Sequence, residues 1–144
     1  MGIYKRRAFR IPLYRGLRVK IRVYYEDTDA GGIVYHTNYI KYCERARSEH
    51  FFSQGHRPLE GDASGFVVHH ISADFLAPAF LGEILEVTSR VLALKRSSVI
   101  LQQDIYRGSE KIFSMEITLA YLAESKVRRI PDSLRTLLDA EGAF

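Results

Sequence analysis

A chain of 144 residues has room for one domain with a real core, and 47% hydrophobic with 26% charged residues is ordinary for a soluble globular protein. No apolar run reaches the roughly 20 residues that cross a bilayer as a helix, and the single cysteine, Cys43, excludes an intrachain disulfide and suits a reducing, cytoplasmic setting. The net charge of +4 is unevenly placed: residues 1–22 hold eight basic and no acidic residues, leaving 13 basic against 17 acidic over the rest.

Residues 1–17 read as a basic extension ahead of a single domain spanning 18–144. The extension lacks the apolar core of a secretory signal. Its aromatics Tyr4, Phe9 and Tyr14 are spaced as docking residues, and its charge suits an acidic partner protein or an anionic membrane. No base-reading motif accompanies the charge, so nucleic acid is not an expected partner.

Residues 18–25 alternate apolar and basic positions and predict a strand. The stretch YYEDTDAGGIVYHTNY follows, with three acids, a Gly31-Gly32 pair and a helix start. Residues 37–54 contain neither Gly nor Pro and predict a helix. Tyr39, Tyr42, Cys43 and Ala46 form its apolar stripe and Lys41, Arg45 and Ser48 a polar one. Thr37 or Asn38 is the expected cap and Gly55 the stop. Glu44 is expected to pair with Arg47 or Arg45, and Cys43, with no base beside it, to be a buried small residue.

After a loop at 55–65, strands are expected at 66–78, 83–95, 98–107 and 111–123, separated by turns at Gly82, Arg96-Ser97 and Gly108. Pro131 opens a short terminal helix. One strand, one long helix and four further strands make an α+β fold, an antiparallel five-stranded sheet wrapped around one central helix, with an open edge that favours dimers.

Several motifs fail on inspection. An EF-hand loop counted from Asp27 ends on Asn38 rather than glutamate. A two-carboxylate glycosidase lacks sugar-stacking aromatics, tryptophan being absent. GDASG at 61–65 places its serine one position late for a nucleophile elbow. His69 and His70, adjacent in a strand, point to opposite faces, so no metal site is expected. What remains is Asp29 ahead of two glycines that allow close approach, then a helix N-terminus whose first N–H groups lack partners. A carboxylate beside such donors is half of a hydrolytic site.

The segment VYYEDTDAGGIVYHTNYIKYCERARSE, Val23 to Glu49, closely resembles the signature of YbgC-type acyl-CoA thioesterases, in the 4-hydroxybenzoyl-CoA thioesterase branch of the hotdog fold. Similarity extends over residues 18–135, leaving 1–17 outside. The resemblance implies a hotdog fold, hydrolysis of acyl-CoA without metal or redox cofactor, and a homodimer, often a tetramer, with sites between subunits. It implies Asp29 as the catalytic carboxylate, base or nucleophile, and the backbone N–H at His36 as donor to the thioester carbonyl. Asp27 is then structural. His36 contributes its imidazole or only its backbone; both readings stand.

Tyr39 is a candidate pocket residue or a core aromatic. Lys95, Arg96 and Ser97, at a turn where related thioesterases contact coenzyme A phosphates, are candidates for that role, and Arg128 and Arg129 are weaker ones. The resemblance also carries a second reading, an acyl-CoA or acyl-carrier-protein binding module at the inner membrane, linked to the Tol–Pal envelope system. A hotdog dehydratase would keep the fold but needs a His–acid pair that this loop does not present.

Overall fold

The computed structural model describes residues 18–56, 59–60 and 64–139; the basic extension 1–17 lies outside the described residues. The five expected strands are the five longer ones: β1 (Val19–Arg22), β3 (Ser64–Phe75), β4 (Ile84–Leu94), β5 (Ser98–Arg107) and β6 (Glu110–Ala123). Two strands of two residues each, β2 (Leu59–Glu60) and β7 (Lys126–Val127), extend the sheet to seven. The order is β1-β4-β5-β6-β3-β2, antiparallel throughout, and β7 pairs with β6 beyond Ala120, where β5 has ended. Pairs this short were invisible in the sequence because two residues carry no alternation to read.

The long helix, α1 (His36–Ser53), lies on one face of this sheet. Tyr39, Tyr42, Cys43 and Ala46 are buried as its stripe requires. They pack with alternate residues of the central strands, Leu85 and Val87 of β4, Leu101 and Ile105 of β5, Met115 and Ile117 of β6. The alternation is what aims each strand's apolar set at the helix. Cys43 is fully buried, and burial pushes its thiol up to about 12, so it is a packing residue and no nucleophile.

Gly55 terminates α1 as expected. Its φ of +80 is open to glycine without steric penalty, and the His56 N–H donates to the Phe51 carbonyl while Gly55 N–H donates to Phe52. At the other end the expected cap differs. Tyr35 occupies the cap position without a side-chain bond. Asn38 turns its amide back onto the Asp27 carbonyl at 2.8 Å instead. The terminal helix α2 (Asp132–Leu138) follows Pro131, which is its cap rather than its first residue.

Three register shifts interrupt the pairing: between Val68 and His70 in β3, between Val91 and Ala93 in β4, and at Ile112 of β6, between the Ile105–Phe113 and Tyr106–Lys111 pairs. The strict alternation expected at His69 and His70 is therefore broken, because a bulge inserts one unpaired residue. Among the described residues no three His, Cys, Asp or Glu side chains stand close enough to hold a metal ion. No helix among them is long and apolar enough to cross a membrane.

Candidate active site

Residues 24–35 fold as a tight hairpin between β1 and α1. After a 3-10 turn at Tyr25–Asp27, Thr28 bridges Val34, Asp29 N–H donates to the Ile33 carbonyl at 2.9 Å, and Tyr35 N–H donates to the Asp27 carbonyl at 2.9 Å. Asp29 therefore stands two residues, about 7 Å, up the hairpin from the rung at which Tyr35 hands the chain to the helix. Gly32, with φ +83, makes the reversal; Gly31 is a glycine for another reason, since a Cβ there would sit 3.2 Å from Asp29 Oδ1. The Gly31 N–H donates to that oxygen at 2.8 Å. This bond fixes one carboxylate oxygen, and the exposed side chain presents the other to solvent.

Asp27 and Asp29 have separated roles. Asp27 is buried, its Oδ2 accepts from Tyr24 N–H at 2.9 Å, and its carbonyl holds both Tyr35 and Asn38. Burial, then the neighbouring Asp27 carboxylate, hold the Tyr42 phenol well above its usual range, although its hydroxyl makes no hydrogen bond of good geometry. Asp27→Ala is expected to lower stability by about 1–3 kcal/mol by orphaning the Tyr24 donor. A shift in the urea midpoint, absent in Asp29→Ala, checks this.

The first N–H groups of α1, at His36 and Thr37, have no hydrogen-bond partner among the described residues. The exposed His36 ring packs on Tyr35 at 4.6 Å between centroids and edge-on to Phe75 at 6.3 Å. That last contact brings the end of β3 to the helix N-terminus. Phe75 is 51% exposed, so it forms an apolar wall facing solvent beside the free donors.

Tyr39 stands behind that wall. It is buried, stacked on Phe113 at 5.3 Å and edge-on to Phe75 at 5.8 Å. Its hydroxyl accepts from Ala79 N–H at 3.0 Å, and burial raises its pKa. The residue sequence reasoning missed is Phe75, whose place in a strand gave no hint that the strand ends at the helix start. Glu44 does not make the expected ion pair with Arg47 or Arg45; its Oε2 accepts from Ser48 Oγ at 2.6 Å.

The structure does not bring Lys95, Arg96 and Ser97 to Asp29 within one chain. Their turn joins β4 to β5 at the opposite end of the sheet, seven residues along β5 from Ile105, which pairs with Phe113, about 24 Å away. Its backbone is tied to the C-terminal segment: Tyr121 N–H donates to Ser97, Ile130 N–H to Arg96, and Arg135 to the Lys95 carbonyl. Lys95 and Arg96 are exposed and make no ion pair among the described residues. Arg128 and Arg129, at the same end, are paired with Glu124 and Asp132.

An antiparallel sheet curled around one long helix, with a carboxylate hairpin feeding that helix's N-terminus, defines a hotdog-fold enzyme of the thioester-hydrolase class. The chain belongs to the thioesterase superfamily, whose family model matches residues 31–114. It is 42% identical over 133 residues to the acyl-CoA thioesterase YbgC of Helicobacter pylori, covering 85% of this chain and 99% of that protein. Among solved structures it resembles a probable thioesterase of Bartonella henselae, with TM-score 0.74 and 31% identity over 80% of this chain and 98% of the other. It also resembles a Thermus thermophilus thioesterase complexed with coenzyme A and Zn, with TM-score 0.73 and 26% identity over 85% and 91% of the two chains.

Proposed function

We propose that the chain hydrolyses acyl-CoA thioesters to a free carboxylic acid and coenzyme A, with Asp29 as the reacting carboxylate. The observation that carries this reading is an exposed, Gly31-anchored carboxylate on the hairpin that feeds α1, whose first two N–H groups are unpaired among the described residues. A thioester carbonyl oriented toward His36 N–H gains its negative charge against a fixed donor and the positive end of the helix. In one route Asp29 takes the proton of the attacking water; the tetrahedral intermediate then expels the coenzyme A thiolate, which recovers that proton. In the other Asp29 attacks the carbonyl itself and expels the coenzyme A thiolate; water then cleaves the resulting anhydride, restoring the Asp29 carboxylate, releasing the acid and giving the thiolate its proton. The Phe75 wall, with Tyr39 behind it, shields the acyl side from water.

The reading includes a homodimer. β3 pairs with β6 along one side, but on the other β2 covers only Ser64 and Gly65. Among the described residues the rest of that edge is unpaired and carries exposed Val67, Val68 and Phe75, an arrangement that templates pairing with a second strand. Antiparallel pairing of two copies about a two-fold axis near Ile71 sets the partner's Val67 end beside this chain's Phe75. The β4–β5 turn lies at that Val67 end, since Ser98 pairs with Ala120 and Ala120 with Val67. The partner's turn, Lys95 to Ser97, thereby approaches this chain's site, where its charges suit the phosphates of coenzyme A. A Thermus thermophilus relative complexed with coenzyme A supports that ligand. Sedimentation at micromolar concentration is expected to give at least twice the 16.5 kDa chain mass; a monomer would remove this account of the turn.

A second reading, an acyl-binding module at an anionic membrane, is favoured by exposed Tyr24, Tyr25, Phe80 and Leu81 beside Lys20 and Arg22. A panel of acyl-CoA chain lengths, followed by release of the free thiol, separates the two. Turnover supports hydrolysis, and tight binding without turnover at any length supports the module.

A further inference from the structure

The seam between α1 and β3 leads away from the thioester end. Phe75 meets His36 at one end of it, and Phe66 meets Phe51 at 5.9 Å near the other, so β3 runs antiparallel to the helix. Between them Ile40, Ile71 and Ala73 are apolar and only partly buried, which leaves an open trough. At the Phe51–Phe66 end lies a pocket that is not uniformly apolar. Phe51, Phe66 and Val68 wall it, but Glu44, Arg47 and Ser48 of α1 also line it.

Arg47 is the anomaly. It is 8% exposed, and the one hydrogen bond it donates among the described residues, Nη1 to Gln103 Oε1, is long at 3.3 Å. No carboxylate lies within ion-pair distance of it among the described residues. A guanidinium carries five donors, and leaving most of them dry against an alkyl end is unfavourable. A polar atom on the bound acyl group supplies what is missing. A carboxylate there would face Glu44, a like charge. A hydroxyl fits: it accepts from Arg47 and donates to Ser48 Oγ, whose own proton is already given to Glu44 Oε2 at 2.6 Å.

We propose that this pocket receives the distal end of the acyl chain and selects long hydroxyacyl thioesters, with Arg47 and Ser48 as specificity residues. The inference rests on the thioesterase reading above. Glu44 lies eight residues beyond His36, about 12 Å along the helix axis. At roughly 1.3 Å advanced per carbon of an extended chain, from a C–C bond near 1.5 Å, that takes about nine or ten carbons. Short acyl groups end in the trough and never meet Arg47.

The test compares kcat/KM for decanoyl-CoA with 10-hydroxydecanoyl-CoA, and dodecanoyl-CoA with 12-hydroxydodecanoyl-CoA, with butanoyl-CoA as the short reference. The wild-type protein is expected to favour a hydroxylated member by roughly tenfold or more, the worth of one charge-assisted hydrogen bond. Arg47→Met and Ser48→Ala are expected to shrink that ratio toward one. The ratio is internal to each protein, so a general loss of activity does not imitate the result. If Arg47→Met fails to fold, Ser48→Ala and the wild-type ratio still decide. Hydrolysis of every member without preference for the hydroxyl overturns this inference alone, whereas hydrolysis of none, butanoyl-CoA included, overturns the thioesterase reading with it.

Discussion

Asp29→Asn is expected to lower kcat/KM toward acyl-CoA by roughly 1,000-fold or more while sedimentation and thermal unfolding stay as in the wild type. The amide is the informative change because it keeps the fold of the hairpin. Asn presents an Oδ1 that still accepts from Gly31 N–H, where the aspartate accepts at 2.8 Å. The Asp29 backbone bonds to Ile33 and Gly32 are untouched. What disappears is the anionic oxygen, which serves as proton acceptor in one route and attacking atom in the other. A factor of 1,000 corresponds to about 4 kcal/mol of transition-state stabilisation. Asp27, nearest in sequence and chemistry, is the control: its loss unsettles the fold rather than the chemistry, since its carboxylate is buried on Tyr24 N–H. Turnover by Asp29→Asn at the wild-type rate would move the reaction to another group.

His36→Pro is the sharper probe of the helix start, and a fall of about 100- to 1,000-fold in kcat is expected, the usual result of deleting one oxyanion donor. His36 is the first helical residue, where proline is tolerated because the N–H it lacks has no helical partner. Tyr35 before it already has φ −65 and ψ 133, the extended backbone that a following proline requires. Among the described residues no hydrogen bond is lost with the His36 N–H. His36→Ala separates backbone from ring: it retains the donor and removes only the imidazole packed on Tyr35 and Phe75. The expected order of activity is wild type, then Ala within a few-fold, then Pro far below. Equal losses in the two variants would assign the role to the imidazole instead, and an unaffected proline variant would remove the donor from the mechanism.

Much of the candidate site's local geometry is legible in the sequence. The double glycine, the carboxylate ahead of it and the helix start after it are local in sequence, and local features are set by backbone sterics that a short segment states by itself. Gly55 stopping α1 and the burial of Cys43 and Tyr42 followed from the same kind of signal. The misreadings were also informative. Asn38 reads as a cap because its side chain suits one, but the hairpin offers it the Asp27 carbonyl, a partner eleven residues away in sequence. Glu44 reads as half of an ion pair, but Ser48, one helical turn on, lies closer than either arginine.

By itself the amino-acid order determined the α+β class, the span of the long helix, the five principal strands and the candidate carboxylate. These rest on periodicity and on turn chemistry, both of which are written within a few residues. The tertiary structure decided what stands next to what. It set Phe75 against His36, held Lys95 to Ser97 about 24 Å from that site within the chain, and left the edge of β3 beyond Gly65 unpaired among the described residues. It also buried Arg47 in a pocket between helix and strand. Strand order and register fix these distances, and both depend on pairings between segments dozens of residues apart, which compete through total burial rather than through any local code.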